Sequence, residues 1–345
     1  MSNLIFFQPC SSSACLFDKA ITNPILFFEI SIVLITIISL FFLRKIQKRI
    51  LYRYFVIMMG IFIFEFFTAP MWHNYRMGSW AYVYRDVSWI LTLGWSTLIL
   101  IPATFIDVYM VNRKAWERVV SYILSISVLG LFAEALVVNL GIRSYAPETL
   151  EAISGNFIPF LNIPWEGVYY IPVFLALVLS FYKYWSLLID KVLIPPIKNN
   201  KLGRNLMISI LGVFLFELMI EPMVVNAGLP SWSYIYKDIS FIITGGWILI
   251  IWLSISIVDK IFIYCNFKDK TILYVLFATI VTLPIEAWLI VNKFRLYGPS
   301  ATENFSGYFI PLTTVPIEIA FAIPFYLVLI ISFIKYWIYR FDIKK

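Results

Sequence analysis

The chain has 345 residues, of which 61% are hydrophobic and 14% are charged, and its formal net charge is +7. A soluble domain carries about 25% charged residues, so this composition and a mean hydropathy of +0.86 exclude an ordinary soluble fold. A nucleic-acid surface would gather the cations in one basic patch, whereas here they are spread over many loops. We therefore expect a membrane protein that binds no nucleic acid.

Apolar blocks of about twenty residues, the length that crosses about 30 Å of hydrocarbon as a helix, run through the chain. A membrane β-barrel would instead show weak alternating segments of about ten residues. The blocks therefore predict an all-α integral membrane protein. In chain order the nine predicted transmembrane helices are 24–44, 52–71, 87–111, 117–140, 166–190, 204–223, 239–261, 271–292 and 317–340.

The distribution of Lys and Arg over the loops predicts the orientation, because cytoplasmic loops are enriched in these residues. Of the 27 Lys and Arg residues, most lie in 44–53, 113–118, 183–204, 260–270 and 335–345, which fall on one side. The other side holds Lys19, Arg76, Arg85, Arg143, Lys237, Lys293 and Arg295. We therefore expect a multi-pass protein of the cell membrane, with its N-terminus outside and its C-terminus inside.

The cysteines are too few for a disulfide framework. Cys10 and Cys15 lie on the predicted outer side, where a disulfide is chemically allowed, and Cys265 lies on the cytoplasmic side. The sequence leaves open whether Cys10 and Cys15 are bridged, because their spacing is short. The first 23 residues lack a positively charged start and a hydrophobic core, so we expect no cleaved signal peptide.

A shift of 152 residues places one half of the chain on the other. Ser79–Asp86 then falls on Ser231–Asp238, and Lys183–Trp185 falls on Lys335–Trp337. So many charged and aromatic matches in one register predict a tandem duplication. Each repeat contains four spans, an even number, so the two copies are expected to run parallel. The predicted segments are 1–51 with the first helix, a first repeat at 52–200 and a second repeat at 201–345.

Acidic residues inside the predicted helices are the most informative feature, because an ionisable group in hydrocarbon costs about 2.5 to 3.5 kcal/mol. At a rise of about 1.5 Å per residue, the acids of each repeat converge on one level near the outer boundary. They are Glu65, Asp86, Glu134 and Glu166 in the first repeat, and Glu217, Asp238, Glu286 and Glu318 in the second. Asp107 and Asp259 lie at the inner end, and we assign them to the cytoplasmic loops.

Two structural roles compete with a catalytic role for these acids. A carboxylate at a helix N-terminus is stabilised by the helix dipole, and this alternative applies to Asp86, Glu166, Asp238 and Glu318. The deeper acids are out of reach of such capping. For them the alternative is a structural ion pair with Arg143 or Arg295. The candidate catalytic residues are Glu65, Glu134, Glu166, Glu217, Glu286 and Glu318.

Aromatic residues retained in both repeats surround the acids, and aromatic faces stabilise cations with little competing nucleophilicity. An arginine is also retained in each repeat. The residues assigned to substrate binding are Trp80, Tyr82, Trp95, Arg143, Tyr145, Trp232, Tyr234, Trp247, Arg295 and Tyr297. For Trp80 and Tyr82 an interfacial aromatic belt remains an equal alternative.

Several other chemistries lack the residues that they need. His73 is the single histidine, which disfavours His-ligated haem, a multi-His iron site or a His-based triad. We expect it to be a surface residue. Walker, dinucleotide-binding and nucleophile-elbow motifs are absent from the sequence. The sequence therefore predicts no metal site and indicates no cofactor.

The segment from Glu134 through Gly141, Tyr145 and Pro147 to Pro164-Trp-Glu166 resembles the membrane lycopene cyclase domain of archaea, fungi and some actinobacteria. That family has an acid in a helix, a Gly-aromatic-Pro loop and a Pro-x-Glu-Glu/Asp motif that opens the next helix. The second copy repeats this pattern with Glu286, Tyr297, Pro299 and Pro316-x-Glu318.

The segment from Glu217 through Trp232 to Tyr236 also looks like the carotenoid hydratase relatives of that family. The resemblance implies a carotenoid-modifying membrane fold in which Glu166 and Glu318 are the motif acids. The sequence departs from the cyclase pattern at the second motif acid, which is Gly167 in one copy and Ile319 in the other. This departure puts the cyclisation reaction itself in question.

The leading hypothesis is a membrane-embedded enzyme, of the cyclase (intramolecular lyase, isomerase) type, that modifies an isoprenoid or carotenoid without redox change. A neutral Glu would protonate a terminal C=C bond of a long apolar substrate, and ring closure would follow. Water capture by a hydratase-like enzyme is one alternative. A proton-coupled transporter or a lipid-binding membrane protein is another, and a structural subunit is a third. The product, the oligomeric state and the number of active copies stay open.

Overall fold

The structure, a computed structural model, describes residues 21–190, 192, 201–303 and 305–343. Within these residues, nine helices of 21 to 26 residues are long and apolar enough to cross a membrane. Each overlaps one predicted apolar block, so the prediction of nine long apolar helices is confirmed. The helices, including the short α5 and α10, are α1 (Asn23–Ile46), α2 (Ile50–Thr68), α3 (Trp89–Tyr109), α4 (Ala115–Asn139), α5 (Pro147–Ala152), α6 (Gly167–Ile189), α7 (Leu202–Ile220), α8 (Phe241–Ile261), α9 (Phe267–Val291), α10 (Pro299–Thr302) and α11 (Ile317–Ile343).

Eight short strands in the described residues form four two-stranded antiparallel sheets, which the sequence did not predict. They are β1 (Trp72–Asn74), β2 (Tyr82–Tyr84), β3 (Val87–Ser88), β4 (Arg143–Tyr145), β5 (Val224–Asn226), β6 (Tyr234–Tyr236), β7 (Ile239–Ser240) and β8 (Arg295–Tyr297). β1 pairs with β4, β2 with β3, β5 with β8 and β6 with β7. All of them lie at one end of the bundle, which we call the hairpin end. Strands of two or three residues are too short to show the period-2 pattern by which a strand is recognised.

The long helices pack in the same way in the N-terminal half (residues 21–190) and the C-terminal half (residues 201–343). In the N-terminal half α2 and α4 each contact α3 and α6, and in the C-terminal half α7 and α9 each contact α8 and α11. The two halves meet where α6 packs on α11 and α5 on α10, each helix against its counterpart 152 residues along. The additional helix α1 packs on α3. One hydrophobic cluster of buried residues runs through both halves.

Small residues allow a close helix approach at equivalent places in the two halves. A Cβ atom added to Gly60 on α2 would lie 2.8 Å from the ring of Phe181 on α6. A Cβ atom added to Gly212 on α7 would lie 2.9 Å from the ring of Phe333 on α11. Small residues at helix interfaces let membrane helices pack closely. The two crossings therefore depend on glycine in the same way.

At the hairpin end, one of the hydrogen bonds between the two halves joins equivalent positions. The backbone N–H of Ser300, in α10, donates a 3.0 Å hydrogen bond to Oε1 of Glu148, in α5. The two residues are 152 positions apart. A position in one half therefore touches the corresponding position in the other half.

Buried lysine–aspartate pairs fix the opposite end of the bundle, and they correct one prediction. Asp107 and Asp259 lie inside the last turns of α3 and α8, not in loops. Asp107 is paired with Lys183 and accepts a hydrogen bond from Tyr122. Asp259 is paired with Lys335 at 2.7 Å and accepts a hydrogen bond from Tyr274. The prediction was wrong because these acids are neutralised inside the protein, which removes the cost of keeping them in a helix. Cys10 and Cys15 lie outside the described residues, and Cys265 is a free cysteine.

Candidate functional site

The six candidate glutamates lie around two cavities, three at each. The N-terminal cavity, of about 110 Å³, is lined by Glu65 of α2, Glu134 of α4 and Glu166, which directly precedes α6. The C-terminal cavity, of about 440 Å³, is lined by Glu217 of α7, Glu286 of α9 and Glu318 of α11. Acids that are far apart in the sequence are therefore brought together in each half.

In the N-terminal half, the pairing of two strands places the side chains of Arg143 and Tyr145 beside Glu134. β1 and β4 pair so that Trp72 lies opposite Tyr145 and Asn74 lies opposite Arg143. Side chains two residues apart on a strand point to the same face, so Arg143 and Tyr145 both project from one side of β4. Both contact Glu134, which lies on α4. The short sheet is thus the element that positions the charged groups.

Arg143, Glu134 and Tyr145 of the N-terminal cavity form hydrogen bonds with one another or with Asn74. Nη1 of Arg143 lies 3.0 Å from Oε2 of Glu134, and the hydroxyl of Tyr145 donates to Oε1 of Glu134 at 3.1 Å. Nε of Arg143 donates to Oδ1 of Asn74 at 3.0 Å. The indole of Trp72 lies over the guanidinium of Arg143, with its ring centroid 4.9 Å away. Buried polar groups satisfied in this way rigidify a site.

Glu65 makes a separate polar contact at the N-terminal cavity. The hydroxyl of Thr92 donates a 2.5 Å hydrogen bond to Oε2 of Glu65. Its other carboxylate oxygen, Oε1, is buried without a hydrogen-bond partner among the described residues. Oε2 of Glu166 and the hydroxyl of Tyr170, which also line this cavity, are likewise buried without hydrogen-bond partners among the described residues.

The C-terminal cavity has the same residue types in a looser arrangement. β5 and β8 place Asn226 opposite Arg295, and the hydroxyl of Tyr297 donates to Oε1 of Glu286. Arg295 lies between two carboxylates, 3.8 Å from Glu217 and 3.9 Å from Glu286, distances too long for direct hydrogen bonds. Within the described part of the chain, Nε and Nη2 of Arg295 and Oδ1 of Asn226 are buried without hydrogen-bond partners. This cluster therefore keeps donor and acceptor capacity for another molecule.

Two substitutions between the halves contribute to the difference in cavity size. Trp72 and Tyr170 line the N-terminal cavity. The positions 152 residues further on are Val224 and Ala322, and both line the C-terminal cavity. An indole and a phenol are thus replaced by an isopropyl and a methyl group. These smaller side chains leave more space at the wall of the C-terminal cavity.

The N-terminal half supplies part of the wall of the C-terminal cavity. Phe66 and Phe67 at the end of α2 and the turn Tyr84–Val87 all line it. The hydroxyl of Tyr326, on α11, donates a 2.9 Å hydrogen bond to the carbonyl of Phe67. The C-terminal half reaches back to the N-terminal cavity with Met219 alone among the described residues. The C-terminal cavity therefore lies between the two halves.

Asp86 lies in a different place from the one that the sequence predicted. It lines the C-terminal cavity and not the cavity of Glu65, because the turn between β2 and β3 extends across the interface. Its Oδ2 lies 3.1 Å from Nδ1 of His73. His73 is partly buried in this pair, so the prediction of a surface histidine was wrong.

The two motif acids, Glu166 and Glu318, each stabilise the loop that precedes them. Oε1 of Glu166 accepts a 2.7 Å hydrogen bond from the backbone N–H of Ser154, and Oε1 of Glu318 accepts a 2.6 Å bond from Ser306. Burial alone would raise the pKa of Glu166, but the hydrogen bonds from Ser154 outweigh it and hold that pKa below its ordinary value. A carboxylate held in its ionised form accepts protons and does not donate them. Glu166 is therefore unsuited to be a proton donor.

The predicted binding residues divide into two groups. Trp95, Arg143 and Tyr145 line the N-terminal cavity, and Trp247, Arg295 and Tyr297 line the C-terminal cavity. Trp80, Tyr82, Trp232 and Tyr234 line neither of these two cavities. Trp80 and Trp232 are exposed, and the hydroxyls of Tyr82 and Tyr234 donate to the carbonyls of Asn74 and Asn226. These four residues belong to the hairpins.

Burial also changes the pKa of two tyrosines that lie outside the helices, in β4 and β8. It raises the pKa of Tyr145 and of Tyr297 well above the ordinary value for tyrosine, and the neighbouring Glu134 and Glu286 raise it further. Both phenols are therefore neutral at physiological pH and act as hydrogen-bond donors to these glutamates.

Several residues of the two clusters were not predicted. Asn74, Thr92 and Tyr326 contact the charged groups or the cavity wall, and none of them is charged. A signal was available for the first two, because Asn226 and Thr244 occupy the positions 152 residues further on. Tyr326 has no such signal, since its counterpart is Phe174.

The chain matches no protein-family model, no curated protein and no solved structure. Among the described residues, no group of three or more His, Cys, Asp or Glu side chains could hold a metal ion. The function has to be argued from the two cavities themselves.

Proposed function

We propose that this protein is a membrane-embedded enzyme that protonates a C=C bond in the end group of a long isoprenoid, such as a carotenoid, and changes it without redox chemistry. One observation carries the proposal. Three glutamates and an arginine meet at the wall of an apolar, aromatic cavity of about 440 Å³ between long apolar helices. Ligand cavities of about 300 to 1,000 Å³ with a few polar groups are typical of small-molecule sites.

We assign the proton donor to Glu217. No hydrogen bond to its carboxyl group is formed by the described residues, and its ion-pair contact is Arg295 at 3.8 Å. Glu286, in contrast, accepts a hydrogen bond from Tyr297 and faces Arg295, an environment that suits a fixed carboxylate. An uncommitted acid beside a fixed anion is the arrangement that general acid catalysis needs. Glu318 positions the loop at Ser306.

The cyclisation is balanced without an external reactant, and the hydration needs only water. The π electrons of the terminal C=C bond take the proton of Glu217 to form a C–H bond, which leaves a tertiary carbocation. A second C=C bond of the substrate attacks this cation and closes a ring, and the carboxylate of Glu217 takes the proton that is then lost. In the hydratase-like alternative, water attacks the cation and gives its proton to the same carboxylate. The product is an isomer in the first case and carries one added water in the second.

The aromatic wall supports a cationic intermediate. Trp247, Phe67 and Tyr326 all line the cavity, and the indole of Trp247 already lies over a cation, 5.5 Å from the guanidinium of Arg295. Aromatic faces attract a positive charge within about 6 Å of the ring centroid. They do so without offering a strong nucleophile, which favours survival of the carbocation.

We further propose that the chain is a tandem parallel duplication that spans the cell membrane nine times, with the N-terminus outside and the C-terminus inside. The repeats are 52–200 and 201–345, preceded by 1–51. The recurrence of contacts at a spacing of 152 residues supports this, as in the pairs Lys183–Asp107 and Lys335–Asp259. The orientation is supported by the Lys and Arg bias of the loops.

The test is conversion of lycopene in membranes of a lycopene-producing host that expresses the full chain. We expect a new pigment whose mass either equals that of lycopene or exceeds it by one water, and we expect its loss in Glu217→Gln and Glu286→Gln. Good expression without any new pigment would count against the carotenoid substrate. An apolar lipid that copurifies unchanged, together with proton-driven flux in liposomes, would support the transporter or lipid-binding alternative.

A further inference from the structure

We infer that, of the two glutamate-lined cavities in the described part of the chain, the C-terminal cavity is the ligand site and the N-terminal cavity is a smaller structural counterpart. The inference rests on the proposed function only in taking an isoprenoid chain as the ligand. Two retained sets of acids would suggest two equivalent sites, so the difference between the cavities decides the question.

Cavity volume is the first argument. At about 440 Å³ the C-terminal cavity lies within the range of sites that enclose small ligands, and at about 110 Å³ the N-terminal cavity lies below it. The difference is built into the sequence, because Trp72 and Tyr170 face one cavity whereas Val224 and Ala322 face the other. A rotation of side chains cannot remove an indole ring from a packed wall without opening a gap elsewhere.

The state of the two arginines is the second argument. Arg143 uses Nε on Asn74 and Nη1 on Glu134, and the ring of Trp72 covers it. Arg295 is 5% exposed and lines the cavity, yet its Nε and Nη2 have no hydrogen-bond partner among the described residues. Arg143 is therefore held by its own half, whereas Arg295 retains donor capacity for a ligand or for water that enters with it.

The third argument concerns the contribution of each half. The C-terminal cavity takes Phe66, Phe67 and Tyr84–Val87 from the N-terminal half. The N-terminal half is therefore needed as a wall, even though its own cavity is small. Its polar contacts join α2 to α3 through Glu65 and Thr92, and they hold α4, β4 and β1 together through Arg143. This gives the N-terminal cluster a structural role and a physical reason to keep its acids.

The test is photo-crosslinking of the purified full-length protein in lipid nanodiscs with a diazirine derivative of geranylgeraniol, followed by peptide mapping. We expect labelled peptides from the C-terminal cavity, including the end of α2 near Phe67 and the start of α11 near Ala322. Peptides around Glu134 and Tyr170, which line only the N-terminal cavity, should stay unlabelled. A diazirine fatty acid serves as the second probe, and equal labelling by both probes would overturn the assignment to an isoprenoid.

Exchanged side chains supply matched variants. Ala322→Tyr, or Val224→Trp if the first variant does not fold, should abolish labelling of the C-terminal cavity. Tyr170→Ala should add labelled peptides at the N-terminal cavity while those at the C-terminal cavity remain. Equal labelling of both cavities in the unmodified protein, no labelling in either, or labelling that persists in well-folded Ala322→Tyr and Val224→Trp would overturn the inference. A labelled C-terminal cavity in a protein that never converts lycopene would refute the proposed reaction and leave the single site intact.

Discussion

The two halves of this chain share their helix packing and differ at the hairpin end. There Arg143 forms hydrogen bonds within its cluster, whereas Arg295 makes only longer ion-pair contacts among the described residues. In the N-terminal half, Arg143, Glu134, Tyr145 and Asn74 satisfy one another at distances of 3.0 to 3.1 Å. In the C-terminal half the equivalent ion pairs of Arg295 measure 3.8 and 3.9 Å around a larger cavity. Retained residue types therefore do not imply a retained role, because the neutral residues around them determine whether space is left for a ligand.

The largest expected effect separates the two halves by activity. Glu217→Gln keeps the shape of the side chain and removes the proton donor, so we expect conversion of the substrate to fall by about 10²- to 10⁴-fold. Glu65→Gln makes the same change in the N-terminal cluster and should retain most of the activity. Initial rates of pigment formation, corrected for the amount of folded protein, measure both. Equal losses in the two variants would mean that both halves take part in the reaction.

The next effect concerns stability, and here the larger change is expected in the N-terminal half. Arg143→Met leaves the carboxylate of Glu134 buried with only the hydroxyl of Tyr145, and breaking such a pair costs about 3 kcal/mol. Arg295→Met removes longer contacts, so its effect on the free energy of unfolding should be smaller, while activity is lost. Denaturant unfolding in detergent measures both changes. A larger destabilisation by Arg295→Met would contradict the view that the N-terminal cluster is the structural one.

The opposite end of the bundle should show no asymmetry. Lys183→Met and Lys335→Met each leave a partly buried aspartate without its cation, and we expect each to lower stability by a similar amount, about 1 to 3 kcal/mol. The double changes Lys183→Met with Asp107→Leu and Lys335→Met with Asp259→Leu should recover much of the loss, because no unpaired charge remains. Melting temperatures in detergent measure the series. Unequal single losses would show that the halves also differ at this end.

The smallest effect tests the motif acids as loop anchors. Glu166→Gln can still accept the hydrogen bond from Ser154 but loses the charge, so we expect a destabilisation of about 1 kcal/mol at pH 7. The pKa of Glu166 is lowered in the folded protein. Its ionised form therefore adds stability above the unfolded-state value of about 4.3, and this is lost as the pH falls through the folded-state value. The difference in melting temperature between the two proteins should shrink below about pH 4. A difference that is constant down to pH 3 would exclude this role.

Most of the helical architecture could be predicted from the sequence, because each long apolar block is a local signal that tertiary contacts do not override. The grouping of the glutamates could also be predicted, since helix rise places residues such as Glu65 and Glu134 at one depth. The strands could not, because β1 and β4 consist of three residues each and are joined only across a long separation in sequence. Asp86 was misplaced for a related reason. Its hairpin contacts the other half, and no local pattern reports a contact of that kind.

The unequal size of the cavities was contained in the sequence but could not be interpreted without the fold. The exchange of Trp72 for Val224 and of Tyr170 for Ala322 is visible as soon as the halves are aligned. Many other positions differ as well, and the alignment does not say which of them face a cavity. Only the packing of α6, α11 and the short sheets identifies these two positions as ones that face the cavities.

The contact between Glu148 and Ser300 bears on how such a chain could be assembled from separate pieces. In an isologous dimer, a residue at the symmetry axis meets its own copy. Two copies of the N-terminal half would place Glu148 against Glu148, and two copies of the C-terminal half would place Ser300 against Ser300. The existing contact needs one N-terminal half and one C-terminal half, because the carboxylate of Glu148 accepts a hydrogen bond from the backbone N–H of Ser300. Halves expressed as two polypeptides should therefore associate with each other in preference to themselves, which makes the symmetry axis itself a determinant of pairing.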